Sequence, residues 1–316
     1  MKFSIIDGFM GYLKSARGRS DLTVKEYAYD LQNFFLFLLN IEEGEDEAIF
    51  EKVTPKVLQG ITRKDIYDYL TYLEFYRKNS NRTKSRKLST LKTFFAYLYE
   101  VEGLIRMNPT EGVHTPKISK TLPVYMNFEE ATRLLEAAEE ETDSLQGLRD
   151  YTILTLFLNC GMRLSELAKI NVEDISSNET IRVHGKGDKE RTVYLNTACM
   201  AALEDYLPLR RSVETEDRAL FLSNRKTRMS VRSIQYMVEK YVRKAGLDPK
   251  ITVHKLRHTA ATLMYQYGSR DLRALQEILG HESIHTTEIY THVENEHLRQ
   301  TTMDNPLARR NERPKD

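Results

Sequence analysis

The segment Tyr151-Thr-Ile-Leu-Thr-Leu-Phe-Leu-Asn-Cys-Gly-Met-Arg-Leu-Ser-Glu-Leu167 decides how the chain is read. Its very apolar first part, Tyr151–Asn159, has no polar face, so it predicts a core helix ending near Gly161. Arg163 and Glu166 follow at once. Three residues apart, they share a face of a short helix.

Upstream, Asn108–Pro123 holds three prolines and no apolar period, which predicts a linker over 109–123. Asn127-Phe-Glu-Glu130 caps the first helix of the domain after it. Residues 1–108 read as helices alone. Thr23-Val-Lys-Glu26 forms a capping box before Tyr27–Leu39, and Thr62-Arg-Lys-Asp65 caps a helix carrying Ile66, Tyr69, Leu70 and Leu73 at helical spacing. A further helix places Leu88, Leu91, Phe94, Phe95 and Leu98 on one face and most of a basic cluster on the other. Downstream, Thr180-Ile-Arg-Val and Arg191-Thr-Val-Tyr-Leu alternate and are β-branched, and the Gly/Asp-rich turn between them predicts a hairpin. Helices are expected at about 197–210, 230–245, 254–267, 270–279 and 283–293, followed by a polar tail over 296–316. The fold class is therefore mainly α with a small β-hairpin or sheet.

The bulk numbers bound the function. A chain of 316 residues, 41% hydrophobic and 29% charged, predicts about two domains with real cores. There is no apolar run of membrane-spanning length and no basic-then-apolar start, so a cytoplasmic protein with no membrane role is expected. Cys160 and Cys199 are too few for a disulfide framework and read as buried thiols. The net charge of +1 hides an uneven distribution. Arg77, Lys78, Arg82, Lys84, Arg86, Lys87 and Lys92 occur with no acidic residue among them, while Glu42–Glu51 and Glu129–Asp143 are acidic. A near-zero sum thus permits one strongly positive face.

Beyond Arg163, the chain carries Lys186 in Gly185-Lys-Gly-Asp-Lys-Glu190, the segment His254-Lys-Leu-Arg257, Gly280-His281, and Tyr290 in Ile289-Tyr-Thr-His292. A phenol, two guanidiniums, an ammonium and two imidazoles are the groups that attack on a phosphodiester without a metal requires. Two arginines fork the non-bridging oxygens of one phosphate in a geometry that lysine cannot match. Tyr290 is one of 18 tyrosines, so its position counts for more than its type.

In order and local context these motifs resemble the active-site pattern of the tyrosine recombinase (integrase) family over roughly residues 4–295, and most closely its Xer-type site-specific recombinases. The resemblance implies an N-terminal helical core-binding bundle over 1–108, a mixed α/β catalytic domain over 124–295, and a C-shaped clamp on DNA. It implies that Arg163 and Arg257 bind the scissile phosphate and that Glu166 supports the arginine and histidine side chains. The family pattern Gly-Lys-Gly-x-Lys-x-Arg selects Lys186, rather than Lys189, as the group that protonates the departing 5′ oxygen. His254 would help take the tyrosine's proton, His281 would hydrogen-bond the phosphate, and Tyr290 would be the nucleophile that forms a 3′-phosphotyrosine.

No cofactor is implied. The implied partner is a double-stranded DNA recombination site, held by four like or paired protomers on two sites through the tail 296–316, with a cell-division DNA translocase as activator. DNA contacts are expected from Arg77, Lys78, Arg82, Lys84, Arg86 and Lys87, and from Arg228, Arg232, Gln235 and Arg243 around a helix near 230–244. The role implied is resolution of chromosome dimers. The alternatives are an integrase or excision recombinase of a mobile element, and a catalytically dead DNA-binding regulator. His281-Glu-Ser-Ile-His285 also matches the H-E-x-x-H zinc pattern. Gly280 and the cap-like Ser283 argue against one helix carrying both histidines.

Overall fold

The computed structural model describes residues 4–42, 48–117, 125–185, 190–268 and 271–280. The chain divides into two compact units, Met1–Thr121 and Leu122–Asp316.

In the first unit, α1 (Ile5–Ser15), α2 (Asp21–Leu38), α3 (Pro55–Gly60), α4 (Arg63–Phe75) and α5 (Asn81–Glu100) surround an aromatic core. Phe9 meets Phe94 edge-on at 5.1 Å, and Phe34 meets Tyr69 at 5.2 Å. These are the tilted ring contacts that a π quadrupole favours. The Thr62/Asp65 capping box forms as expected. The expected start of α2 does not. Ser20, not Thr23, is the cap, because its hydroxyl reaches the Thr23 amide and Asp21 already occupies the first turn.

The face assigned to the basic cluster also needs correction. Lys84 and Lys87 are buried on the stripe of Leu88, Leu91 and Phe94, one helical turn before it. Carboxylates compensate them. Lys84 Nζ lies 2.6 Å from Glu74, and Lys87 Nζ lies 3.3 Å from Asp30. Asp30 also accepts from Arg86 at 2.5 Å and from the Thr90 hydroxyl at 2.9 Å. Burial holds the Lys87 ammonium below its usual pKa, and Asp30 opposes that drift. The beginning of the expected linker packs on this unit. Thr110 and Val113 are buried, and Asn81 and Ser85 donate to the carbonyls of Lys117 and Pro116.

The second unit is built around α7 (Leu145–Cys160). Ile153, Leu154, Leu156 and Phe157 are fully buried. At about 1.5–3 kcal/mol per large apolar side chain, that helix alone anchors the core. Around it lie α6 (Phe128–Glu139), with its Asn127/Glu130 capping box, α9 (Thr197–Ser212) and α11 (Val253–Tyr267). Cys160 and Cys199 are free and buried, with sulfurs 3.6 Å apart. The hairpin is β2 (Thr180–His184) and β3 (Glu190–Tyr194), antiparallel, with Ile181 opposite Val193. A two-residue strand, β1 (Ile175–Ser176), extends it to an antiparallel sheet in the order β1-β2-β3. α10 (Val231–Lys244) and α12 (Leu272–Leu279) complete the described elements with the short α8 (Leu164–Leu167). No described helix is long and apolar enough to cross a membrane.

Candidate active site

α7 ends where the sequence predicts, at Gly161, whose φ of +58° is left-handed. A glycine is needed there twice over: a Cβ would be strained by that φ and would lie 2.8 Å from Leu279 Cδ2. The chain reverses, and Arg163 becomes the N-cap residue of α8.

Glu166, only 1% exposed, takes three hydrogen bonds. Arg163 donates its backbone N–H at 2.9 Å and Nη1 at 2.8 Å, and Arg191 of β3 donates Nη2 at 2.8 Å. Burial alone would raise the Glu166 pKa. The bonds from Arg191 and Arg163 outweigh it and hold the carboxyl below its usual value. Glu166 is therefore a buried anion clamped between two guanidiniums.

Arg257 arrives from α11 and is also buried. Its Nη1 donates to the Gly161 carbonyl at 2.6 Å and its Nη2 to the Leu279 carbonyl at 2.7 Å. Arg163 Nη2 donates to the next carbonyl, Gly280, at 2.7 Å. Arg191 Nη1 donates to the preceding one, Ile278, at 2.6 Å. Three consecutive carbonyls at the C-terminal end of α12 thus each meet a different arginine. Such carbonyls have no partner inside their own helix, and the negative end of the helix dipole favours cations.

Arg163, Glu166 and Arg257, named from sequence, are thereby brought together. His254 lies in the first turn of α11, exposed, three residues before Arg257. His258, half-buried one turn further on, has its pKa lowered by burial and by the nearby Lys255 and Arg257 charges. Lys186, His281 and Tyr290, and with them the His281–His285 zinc pattern and the tail 296–316, lie outside the described residues. Among the described residues no three His, Cys, Asp or Glu side chains gather as a metal site. Arg191 was missed as a site residue. Its signal was the last position of the Gly-Lys-Gly-x-Lys-x-Arg pattern.

The residues expected to touch DNA divide. Arg77, Lys78, Arg82 and Arg86 are exposed, Lys84 and Lys87 are interior, and Arg86 shares Asp30 with Lys87. Arg228 is committed inside the second unit, donating to the carbonyls of Ala168 and Ile170 and to Asn171. Its guanidinium, half-buried, braces the loop after α8. On α10, Arg232 is exposed, with its guanidinium 4.7 Å from the Tyr236 ring centre; Gln235 is half-buried and Arg243 exposed.

Comparison with known proteins finds relatives over nearly the whole chain. The model of the phage integrase family matches residues 125–297, and that of the phage integrase N-terminal SAM-like domain matches residues 6–102. Tyrosine recombinase XerC of Caldanaerobacter subterraneus subsp. tengcongensis is 42% identical over 312 residues, covering 96% of this chain and 87% of that protein. XerC of Thermodesulfovibrio yellowstonii is 38% identical, covering 97% of this chain and 98% of that one. The crystal structure of XerH site-specific recombinase bound to difH substrate superposes with a TM-score of 0.69 at 25% identity, covering 95% of this chain and 84% of that one.

Proposed function

The chain belongs to the phage integrase family of tyrosine recombinases, enzymes that cleave and rejoin DNA at specific sites, and on that premise we propose how its residues divide the work. Arg163 and Arg257 fork the non-bridging oxygens of one phosphate. The Tyr290 phenol attacks phosphorus in line with the 5′ oxygen and gives its proton to His254. The bond from phosphorus to the 5′ oxygen breaks as Lys186 protonates that oxygen, and His281 hydrogen-bonds the phosphate. The products are a 3′-phosphotyrosine and a free 5′-hydroxyl. The ester keeps the energy of the broken bond, so a second strand's hydroxyl reseals it without ATP.

The observation that carries this reading is the convergence of Arg163 and Arg257 on adjacent carbonyls, with Glu166 beneath them. Donors already aimed at one point meet developing charge without reorganisation, and each is worth about 3–4 kcal/mol where such donors have been deleted.

The biological role we infer is Xer-like: resolution of chromosome dimers by four protomers on two DNA sites, with a cell-division DNA translocase as activator. The resemblance to XerC proteins over nearly the whole chain supports it over a mobile-element role.

The test is Tyr290→Phe on a nicked duplex carrying a site selected from genomic DNA with the wild-type protein. The variant should bind that duplex as wild type does and trap no covalent complex. A covalent complex formed by the variant would remove Tyr290 from the mechanism.

A further inference from the structure

Arg191 joins three elements that the proposed reaction needs in register. We propose that it is a positioning residue for strand cleavage, locking Glu166, and through it Arg163, to the carbonyl end of α12 and to the hairpin that carries Lys186. The inference rests on the recombinase reading above and adds to it a residue outside the six reacting groups.

Three observations carry it. Arg191 Nη2 holds Glu166 Oε2 at 2.8 Å while Nη1 holds the Ile278 carbonyl at 2.6 Å, so one planar group bridges α8 and α12 from β3. A guanidinium reaches both acceptors from two nitrogens held in one rigid plane, whereas an ammonium would have to serve both from a single nitrogen. Next, the chain makes room for it. Gly280 has a φ of +62°, and a Cβ there would lie 3.1 Å from Arg191 Cδ and 3.2 Å from Nε, so the arginine stem lies against a bare backbone. Finally, the side chain is 15% exposed, and its Nε is buried with no hydrogen-bond partner among the described residues. A buried donor left without a partner is a cost that a surface ion pair would avoid.

The bridge matters because Arg191, with Arg163 and Arg257, holds the carbonyl end of α12. Its apolar anchor is Leu275 and Leu279 in a small cluster with Ala261 of α11. Two side chains set the depth of an amphipathic helix, but not the position of its last carbonyls. The guanidiniums do that. Of the three, Arg191 is the one that reaches Glu166 from the hairpin, so it links that carboxylate and the end of α12 to β3.

The experiment compares full-length wild type, Arg191→Lys, Arg191→Gln, Glu166→Gln and the double variant Arg191→Gln/Glu166→Gln. Hydrogen exchange is measured on the free proteins, and binding and single-turnover cleavage on the same nicked duplex. Arg191→Gln should bind DNA with unchanged affinity, cleave about 10- to 100-fold more slowly, as loss of a charge-assisted bond predicts, and exchange faster across residues 272–280 while α7 stays protected. Arg191→Lys should restore folding wherever Gln impairs it, but not the rate. In the double variant the two losses should be less than additive, because the residues act as one unit. Wild-type cleavage and α12 exchange in Arg191→Gln would overturn the proposal. So would full rescue of the rate by Lys, or strict additivity. If wild type itself traps no covalent complex, the recombinase reading fails instead, and the two failures are distinguishable.

Discussion

Replacing Glu166 by Gln tests the charge balance of the site directly. The carboxylate is 1% exposed and receives three donors, two of them guanidiniums. The amide keeps one acceptor oxygen and turns an N–H₂ toward one of those donors. One charge-assisted bond is then lost, at about 1.5–3 kcal/mol, and those that remain fall to roughly half strength. Removing one partner of a fully buried pair costs about 3–5 kcal/mol. Arg163 is 36% exposed, so water recovers part of that. About 3 kcal/mol is the expected destabilisation, which for a domain of roughly 200 residues lowers Tm by about 6–12 °C. The pH dependence has a definite sign. The folded Glu166 pKa lies below its unfolded value, so its contribution is fully present above about pH 4.3 and is lost as pH falls through the folded pKa. The gap in Tm between wild type and Glu166→Gln should therefore stay level from neutrality down to about pH 5 and narrow below it. Calorimetric melts across that range, paired with single-turnover cleavage, are the assay. A variant that melts with wild type and cleaves at its rate would refute the reasoning.

Three further outcomes follow from the fold. Arg82→Ala, at an exposed cation, should reduce the slope of log affinity against log salt by about one. Lys87→Met should leave that slope alone and cost the first unit about 1–3 kcal/mol, since the ammonium's work is internal, against Asp30; titrating DNA binding at several salt concentrations separates the two. Gly161→Ala should destabilise by about 1–2 kcal/mol because of its left-handed φ, more where Leu279 cannot yield. A melt showing the gain of about 0.4–1 kcal/mol usual for Gly→Ala at an unstrained position would contradict that.

What the sequence disclosed and what it withheld divide along the range of the interactions. Arg163 and Glu166, Asn127 and Glu130, and Thr62 and Asp65 form within one helical turn, and spacing alone reveals them. The end of α7 was equally plain, because an apolar run met a glycine. The start of α2 was misread at Thr23 because Thr23 and Glu26 match the capping-box pattern, and only geometry shows that the Ser20 hydroxyl reaches the Thr23 amide. Lys84 and Lys87 were misplaced for a different reason. A pattern of apolar and polar residues assigns every lysine to solvent, whereas Asp30 and Glu74, distant in sequence, make burial tolerable. Arg191 owes its place to long-range contacts of the same kind. The partners that define Arg191 are Glu166 and Ile278, and the latter is 87 residues away in sequence.

The same long-range contacts explain how three guanidiniums sit together without DNA. Arg163, Arg191 and Arg257 bring three positive charges to one place, and Glu166 is the carboxylate that Arg163 and Arg191 share among the described residues. Lone repulsion of that kind would scatter them. The end of α12 supplies what is missing, because its carbonyl dipoles carry roughly half a negative charge. Glu166 and the backbone carbonyls hold these guanidiniums in place. A phosphate forked by Arg163 and Arg257, as proposed, would meet donors whose repulsion has already been overcome in folding. The transition state, with more negative charge on phosphorus's oxygens than the ground state, gains more from those donors than the substrate does, and that difference is what accelerates a reaction. The arginines' structural contacts and their proposed catalytic ones are thus not rivals: the contacts to α12 and Glu166 are the means by which the positive charge is kept in place.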